Sequence, residues 1–196
     1  MKDSYLFLAD GFEEMEAIGC IDVLRRAGMP LKTVSITNSM QVTGAHGVKI
    51  TADLIFDNVT FAGAEWLILP GGMPGATNLY EFAPLRGLLR SQAESAGGRI
   101  AAICASPAVV LGQLGLLKGE NATCYPGFEN LLSGAEAVDA PVVTSGKFVL
   151  GNGPGNVFAW ALTIVKETLG EQKALSLGGD LLIYPLSSDD LDFTFG

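Results

Sequence analysis

Short runs of apolar residues recur along this chain, each bounded by glycine, proline or aspartate and most followed by a longer amphipathic stretch. A run without polar alternation reads as a strand buried on both faces, and a long helical return between such runs is what parallel pairing requires. Strands are predicted over residues 5–9, 31–35, 66–69, 99–103, 142–143 and 148–150, and helices over 13–27, 84–96, 107–114, 127–132 and 156–169. Gly28, Gly97-Gly98 and Gly170 stand at or beyond helix ends, where glycine closes the last turn. Gln41-Val42 and Val48-Lys49-Ile50 flank Thr43-Gly44-Ala45-His46-Gly47, the pattern of an inserted hairpin. The rhythm predicts an α/β fold with a mostly parallel sheet and helices on both faces.

At 196 residues the chain has the length of a single domain, expected to span 1–196. With 48% hydrophobic residues it is too apolar to stay unfolded. Acidic residues outnumber basic ones 21 to 12, the net charge is -9, and no Lys/Arg cluster is present, so no nucleic acid partner is expected. Cys20, Cys104 and Cys124 have no C-x-x-C spacing, and the single His46 cannot complete a zinc cluster with them. No metal and reduced thiols in a cytoplasmic setting are the expectation. The first apolar run breaks at Asp10-Gly11, too early for a secretory core, and the uncharged stretch 100–117 is interrupted by Ser106-Pro107 and Gln113. It reads as a buried strand followed by a helix, with no membrane role. An acidic tail at about 185–196 ends in Phe193-Thr194-Phe195; docking onto its own sheet edge or a partner subunit and fraying both fit it.

Chemistry concentrates in three places. Arg99-Ile100-Ala101-Ala102-Ile103 leads into Cys104-Ala105-Ser106-Pro107, with small residues two positions either side of the cysteine. That is the spacing of a strand-to-helix elbow presenting a nucleophile. A helix N-terminus there would lower the thiol pKa; the turn alone equally suits a small buried hydrophobe. The loop Leu69-Pro70-Gly71-Gly72-Met73-Pro74-Gly75 follows a strand and presents backbone N–H groups. In an open α/β sheet, ligands sit at the carboxyl ends of strands. Gly72 and Ala105 N–H can then form an oxyanion hole, with Gly71 beside the substrate. Phosphate-cradling glycine motifs are absent. In Asp10-Gly11-Phe12-Glu13-Glu14-Met15-Glu16, Glu13 and Glu14 read as complements to a helix dipole. Glu16, near the apolar stripe, can turn inward as a carboxylic acid of raised pKa. Cys20 falls on the buried face of the same helix and is a candidate for the pocket floor, and Cys124 reads as a core or near-interface thiol.

With these pieces in the order LADGFEEME, LPGGMPG and AAICASP, the chain resembles the ThiJ/PfpI superfamily, most closely the branch of the parkinsonism-associated protein deglycase and its bacterial relatives. Asp22-Val23-Leu24-Arg25-Arg26-Ala27-Gly28, Ala122-Thr123-Cys124-Tyr125-Pro126 and Gly153-Pro154-Gly155 agree with it. The resemblance implies a flavodoxin-like doubly wound α/β/α sandwich, like that of the class I glutamine amidotransferases, and a homodimer. It also implies Cys104 paired with a protonated Glu16, with Gly72 and Ala105 as backbone donors. Tyr125 replaces the histidine of the human branch and can offer its hydroxyl to a substrate oxygen or across the dimer. His46 falls where the family often has an arginine near the subunit interface, although an exposed turn histidine explains it as well. Peptidase members carry a histidine directly after the cysteine, where this chain has Ala105, which argues against peptidase or amidase chemistry.

The leading expectation is a cofactor-independent glyoxalase or deglycase acting on small 2-oxoaldehydes through Cys104 and Glu16. Its alternative is an oxidative-stress sensor or chaperone in which peroxide oxidises Cys104 without turnover. A thiamine-biosynthesis role is the weaker third reading.

Overall fold

The computed structural model describes residues 1–183; the acidic tail anticipated at about 185–196 lies outside them. In chain order the elements are β1 (Ser4–Leu8), α1 (Glu14–Arg26), β2 (Leu31–Ser35), β3 (Gln41–Thr43), β4 (Lys49–Thr51) and β5 (Leu54–Ile55). There follow β6 (Trp66–Leu69), α2 (Gly75–Glu81), α3 (Ala83–Glu94), β7 (Arg99–Ile103) and a π-helix (Pro107–Gly112). The chain continues through β8 (Asn121–Ala122), β9 (Glu136–Ala137), β10 (Val142–Ser145), β11 (Phe148–Gly151), α4 (Val157–Leu169) and α5 (Glu171–Asp180). A seven-stranded sheet runs in the order β10-β11-β7-β6-β1-β2-β5. All its pairings are parallel except β10 with β11. Strands β2, β1, β6, β7 and β11 thus reproduce the flavodoxin-like order, which reverses between β1 and β6.

The wholly buried β1, β6 and β11 each divide their side chains between two cores. Leu6 and Leu8 face α1, α4 and α5, while Tyr5 and Phe7 face the side of α2, α3 and the π-helix. Helix α1 starts where the Glu13 side chain accepts the Glu16 N–H at 2.8 Å. It buries Glu16, Ala17, Cys20, Val23 and Leu24 at helical spacing, carries Arg25 and Arg26 in its last turn, and is followed by Gly28 at φ 86°.

Several expectations need correction. Residues 127–132 form only a 3-10 turn at Glu129–Leu131, because Gly127 N–H is taken by Glu129 Oε2 and the chain leaves helical geometry at Leu132. Residues 107–114 begin as a π-helix, with the Gln113 N–H bonded to the Ala108 carbonyl and Leu116 N–H to that of Leu111. Two helices were not anticipated: α2, behind a loop dense in proline and glycine, and α5, separated from α4 by Gly170 alone. The two-residue strands β5, β8 and β9 exist through their pairing rather than their composition. The expected hairpin is present as β3–β4, and the stretch 100–117 is strand followed by π-helix. Among the described residues, no helix is long and apolar enough to cross a membrane.

Trp160 of α4 ties this frame to the sheet. It is fully buried, and its Nε1 donates to the Val149 carbonyl at 3.0 Å. A Cβ on Gly151 would lie 3.2 Å from its ring, so the indole rests on the backbone of β11. Trp160→Ala is expected to lower the unfolding free energy by about 3–5 kcal/mol, read as a lower urea midpoint at unchanged slope.

Candidate active site

Strand β7 ends at Ile103, and Cys104 takes φ 65°, one of two non-glycine residues at positive φ among the described residues. Such a conformation costs on the order of 1–3 kcal/mol and persists only when its surroundings enforce it. Here Cys104 N–H donates to the Gly151 carbonyl at 2.9 Å, and the Cys104 carbonyl accepts Tyr125 N–H at 2.8 Å. Ser106 Oγ donates to the Pro70 carbonyl at 2.6 Å, joining the elbow to the glycine loop. Ser106 was read only as a small neighbour; its bond across loops leaves no mark in local sequence.

The loop after β6 meets the loop after β1, since Glu13 N–H donates to Gly71 O at 3.0 Å and Gly75 N–H to Gly11 O at 3.1 Å. Gly71 N–H donates to Glu16 Oε2 at 2.7 Å. A Cβ on Gly71 would lie 2.6 Å from Cys104 Cβ and 2.8 Å from Glu16 Oε2, so only glycine fits against the two side chains. Gly72 at φ 91° packs against the Glu13 backbone. The N–H groups of Gly72 and Ala105 both point at the Cys104 sulfur.

Burial dominates the electrostatics. Glu16 is fully buried with Oε1 unpartnered. Burial pushes its carboxyl up to about 7, against the pull of Gly71 N–H and the Cys104 hydrogen bond. Burial likewise pushes the Cys104 thiol up to about 12, followed by the charge of Glu16 and the hydrogen bond to it; Gly72 and Ala105 N–H oppose. The expectation of a thiol pKa lowered by a helix N-terminus is corrected. The helix that follows is a six-residue π-helix beginning only at Pro107, and burial beside a carboxyl outweighs it. Thiol and carboxyl therefore titrate as a pair that holds one proton between the two steps.

A cleft of about 480 Å³ opens onto the sulfur. Of the anticipated residues, Cys104, Gly72, Ala105, Tyr125 and His46 line it. Glu16 and Gly71 lie behind the sulfur and outside the lining. Glu13, Met15, Met73 and Phe128 also line the cleft and were not anticipated as site residues. Glu13 and Glu14 do more than complement a dipole: Glu13 caps α1, while Glu14 accepts His46 N–H at 2.6 Å and meets His46 Nδ1 at 2.8 Å. The bond to Glu14 raises the His46 pKa. Ligand atoms of Glu13, Glu14 and His46 lie within 4.8 Å of one another, yet these contacts already engage them. Cys20 is fully buried and lines no part of the cleft; its thiol is pushed up by burial. Cys124 borders a separate cleft of about 330 Å³, and burial, then the charge of Glu129, pushes its thiol up to about 11.

Comparison with known proteins finds relatives over most of the chain. The profile of the DJ-1/PfpI family matches residues 2–167. Protein DJ-1 homolog B of Arabidopsis thaliana is 38% identical over 188 residues, which cover 95% of this chain but 43% of that protein. The chain thus spans less than half the length of this relative. A deglycase of Pyrococcus abyssi is 33% identical, with 81% of this chain and 94% of that protein covered. The oxidized structure of Toxoplasma gondii DJ-1 superposes with a TM-score of 0.90 at 34% identity, covering 94% of this chain and 100% of that one.

Because Glu16 holds its proton more tightly when folded, native stability is full below the unfolded carboxyl pKa of 4.5 and falls as pH rises through about 7. The loss is expected to reach about 3 kcal/mol between pH 4.5 and 8. Urea unfolding across that range checks it, and Glu16→Gln should flatten the decline.

Proposed function

The chain belongs to the DJ-1/PfpI family, and on that premise we propose that it is a cofactor-independent glyoxalase or deglycase using Cys104 as nucleophile on small 2-oxoaldehydes. One observation carries the reading. The Cys104 sulfur sits at an open cleft with two backbone N–H groups aimed at it and an acid of pKa about 7 behind it. The similarity to a deglycase of Pyrococcus abyssi supports the same class.

In this mechanism Glu16 takes the thiol proton while sulfur adds to the aldehyde carbon, and the carbonyl π electrons move to oxygen. Gly72 and Ala105 N–H can stabilise that oxygen as charge develops. Glu16 returns the thiol proton to that oxygen and, ionised again beside the sulfur, takes the C–H proton of the hemithioacetal carbon to give an enediol; it delivers that proton to the neighbouring carbon while the hydroxyl proton passes to the second oxygen. The product is a thioester, which water cleaves to a 2-hydroxy acid and free thiol. Against a peptidase, Ala105 follows Cys104, and His46, the single histidine, turns Nδ1 to Glu14.

A second reading has its own support. The Glu16 carboxyl and the two N–H groups around sulfur would stabilise the oxygens of a sulfinate formed by peroxide. This is the redox-sensor role. For assembly, we infer a homodimer. Met15, Ile18 and Phe158 are large apolar side chains left exposed around a hollow of about 550 Å³ between α1 and the start of α4.

Native protein is expected to convert methylglyoxal to lactate in metal-free buffer without glutathione, and Cys104→Ser and Glu16→Gln to lose at least about 100-fold in kcat/KM. No turnover by protein with a confirmed free thiol would sink the enzyme reading and leave the sensor. For assembly, Ile18→Lys is expected to halve the mass seen by sedimentation equilibrium; a native monomer would refute the dimer.

A further inference from the structure

We infer that the Cys104 cleft selects neutral 2-oxoaldehydes with a bulky apolar body and disfavours anionic ones of the same size. This rests on the proposed reading of Cys104 as an aldehyde-directed nucleophile and names the substrate class of that site.

Size comes first. At about 480 Å³ the cleft falls within the roughly 300–1,000 Å³ typical of pockets for drug-sized ligands. Methylglyoxal, with one methyl group beyond its carbonyls, leaves most of it to water.

The walls decide what fills the remainder. Met73 and Tyr125 are 48% and 46% exposed at the cleft. Folding gains little from apolar surface left uncovered, and a ligand that covers it gains the transfer free energy. The Tyr125 and Phe128 rings meet edge to face with centroids 6.5 Å apart, an aromatic wall that suits a flat ring or branched alkyl group. These walls are in register with the reacting atoms. Met73 directly follows Gly72, whose N–H faces the sulfur, and Tyr125 N–H holds the Cys104 carbonyl. A body packed on Met73 and Tyr125 therefore orients the aldehyde at its end toward Cys104.

Charge works against anions. No lysine or arginine lines the cleft. Its one cationic candidate, His46, has Nδ1 paired with Glu14 Oε2 at 2.8 Å, and the acidic Glu13 also lines the wall. A carboxylate or phosphate would lose hydration there without gaining a free counter-charge.

The test compares kcat/KM for methylglyoxal, phenylglyoxal and 4-carboxyphenylglyoxal. Phenylglyoxal is expected to exceed methylglyoxal by at least about tenfold, and the added carboxylate to remove at least about tenfold. Phe128→Ala and Met73→Ala are each expected to lower the phenyl-to-methyl ratio by about tenfold. Intrinsic reactivity cancels when variant and native are compared on the same pair. Turnover of methylglyoxal with a native ratio at or below one, or equal use of the carboxylated ring, overturns the inference and leaves the nucleophile reading standing. If none of the three is turned over, the nucleophile reading fails, and protection of Cys104 from iodoacetamide decides the cleft's preference. Protection by acetophenone but not by acetone or benzoate supports it; equal protection by all three overturns it.

Discussion

A thiol and a carboxyl are buried against each other beside one glycine backbone, with N–H groups from three loop residues as their main further polar company. Burial makes ionising both groups at once unfavourable, and one proton stays with the pair over a wide span of pH. Much of the local structure follows from keeping that arrangement intact. Gly71 has to lack a side chain because any Cβ would touch both partners. Cys104 has to bend to positive φ for its sulfur to reach the pocket, and bonds to Gly151 and Tyr125 hold the bend.

The sheet supplies the rest. Its strand order reverses between β1 and β6, so the loops leaving their carboxyl ends diverge around a crevice. In this protein those two loops are bonded together through Glu13, Gly71, Gly11 and Gly75, forming a firm floor instead of an open groove. The Cys104 thiol stands at the end of the next strand, β7, and reaches over that floor. Both cores press on the sheet from opposite sides, and Trp160 carries the packing of α4 to β11, the strand whose Gly151 carbonyl restrains Cys104. A defect in the helical layer is thereby transmitted to the elbow through one packed side chain and one hydrogen bond.

The central strands were legible because double-sided burial demands uninterrupted apolar residues, as in Trp66-Leu67-Ile68-Leu69. The elbow was legible because a strained turn tolerates only small neighbours, here Ala102 and Ser106. Glu16 stood out as an acid on an apolar stripe. What escaped depends on distance in space. The thiol pKa follows from burial beside a carboxyl 88 positions earlier in the chain, whereas local sequence shows only a nearby helix start. Strand β5 owes its existence to pairing with β2. Helix α2 was hidden because its first residue, Gly75, follows Pro74, a pair that reads as loop. Met73 and Phe128 carried no signal at all, since lining a cleft means being left uncovered by the rest of the chain.

The two halves of the site make different demands on sequence. Behind the sulfur, each position is dictated by contact: glycine at 71 by steric exclusion, an acid at 16 by the proton it holds, a small hydroxyl at 106 by the Pro70 carbonyl. In front of it, Met73 and Tyr125 stand partly in solvent, so exchanging them for other apolar side chains would cost the fold little. On the proposed reading, chemistry is anchored in packing that resists change, and the choice of substrate body rests on side chains that the fold does not constrain. A change of specificity at this site therefore requires no rebuilding of the proton-sharing pair beneath it.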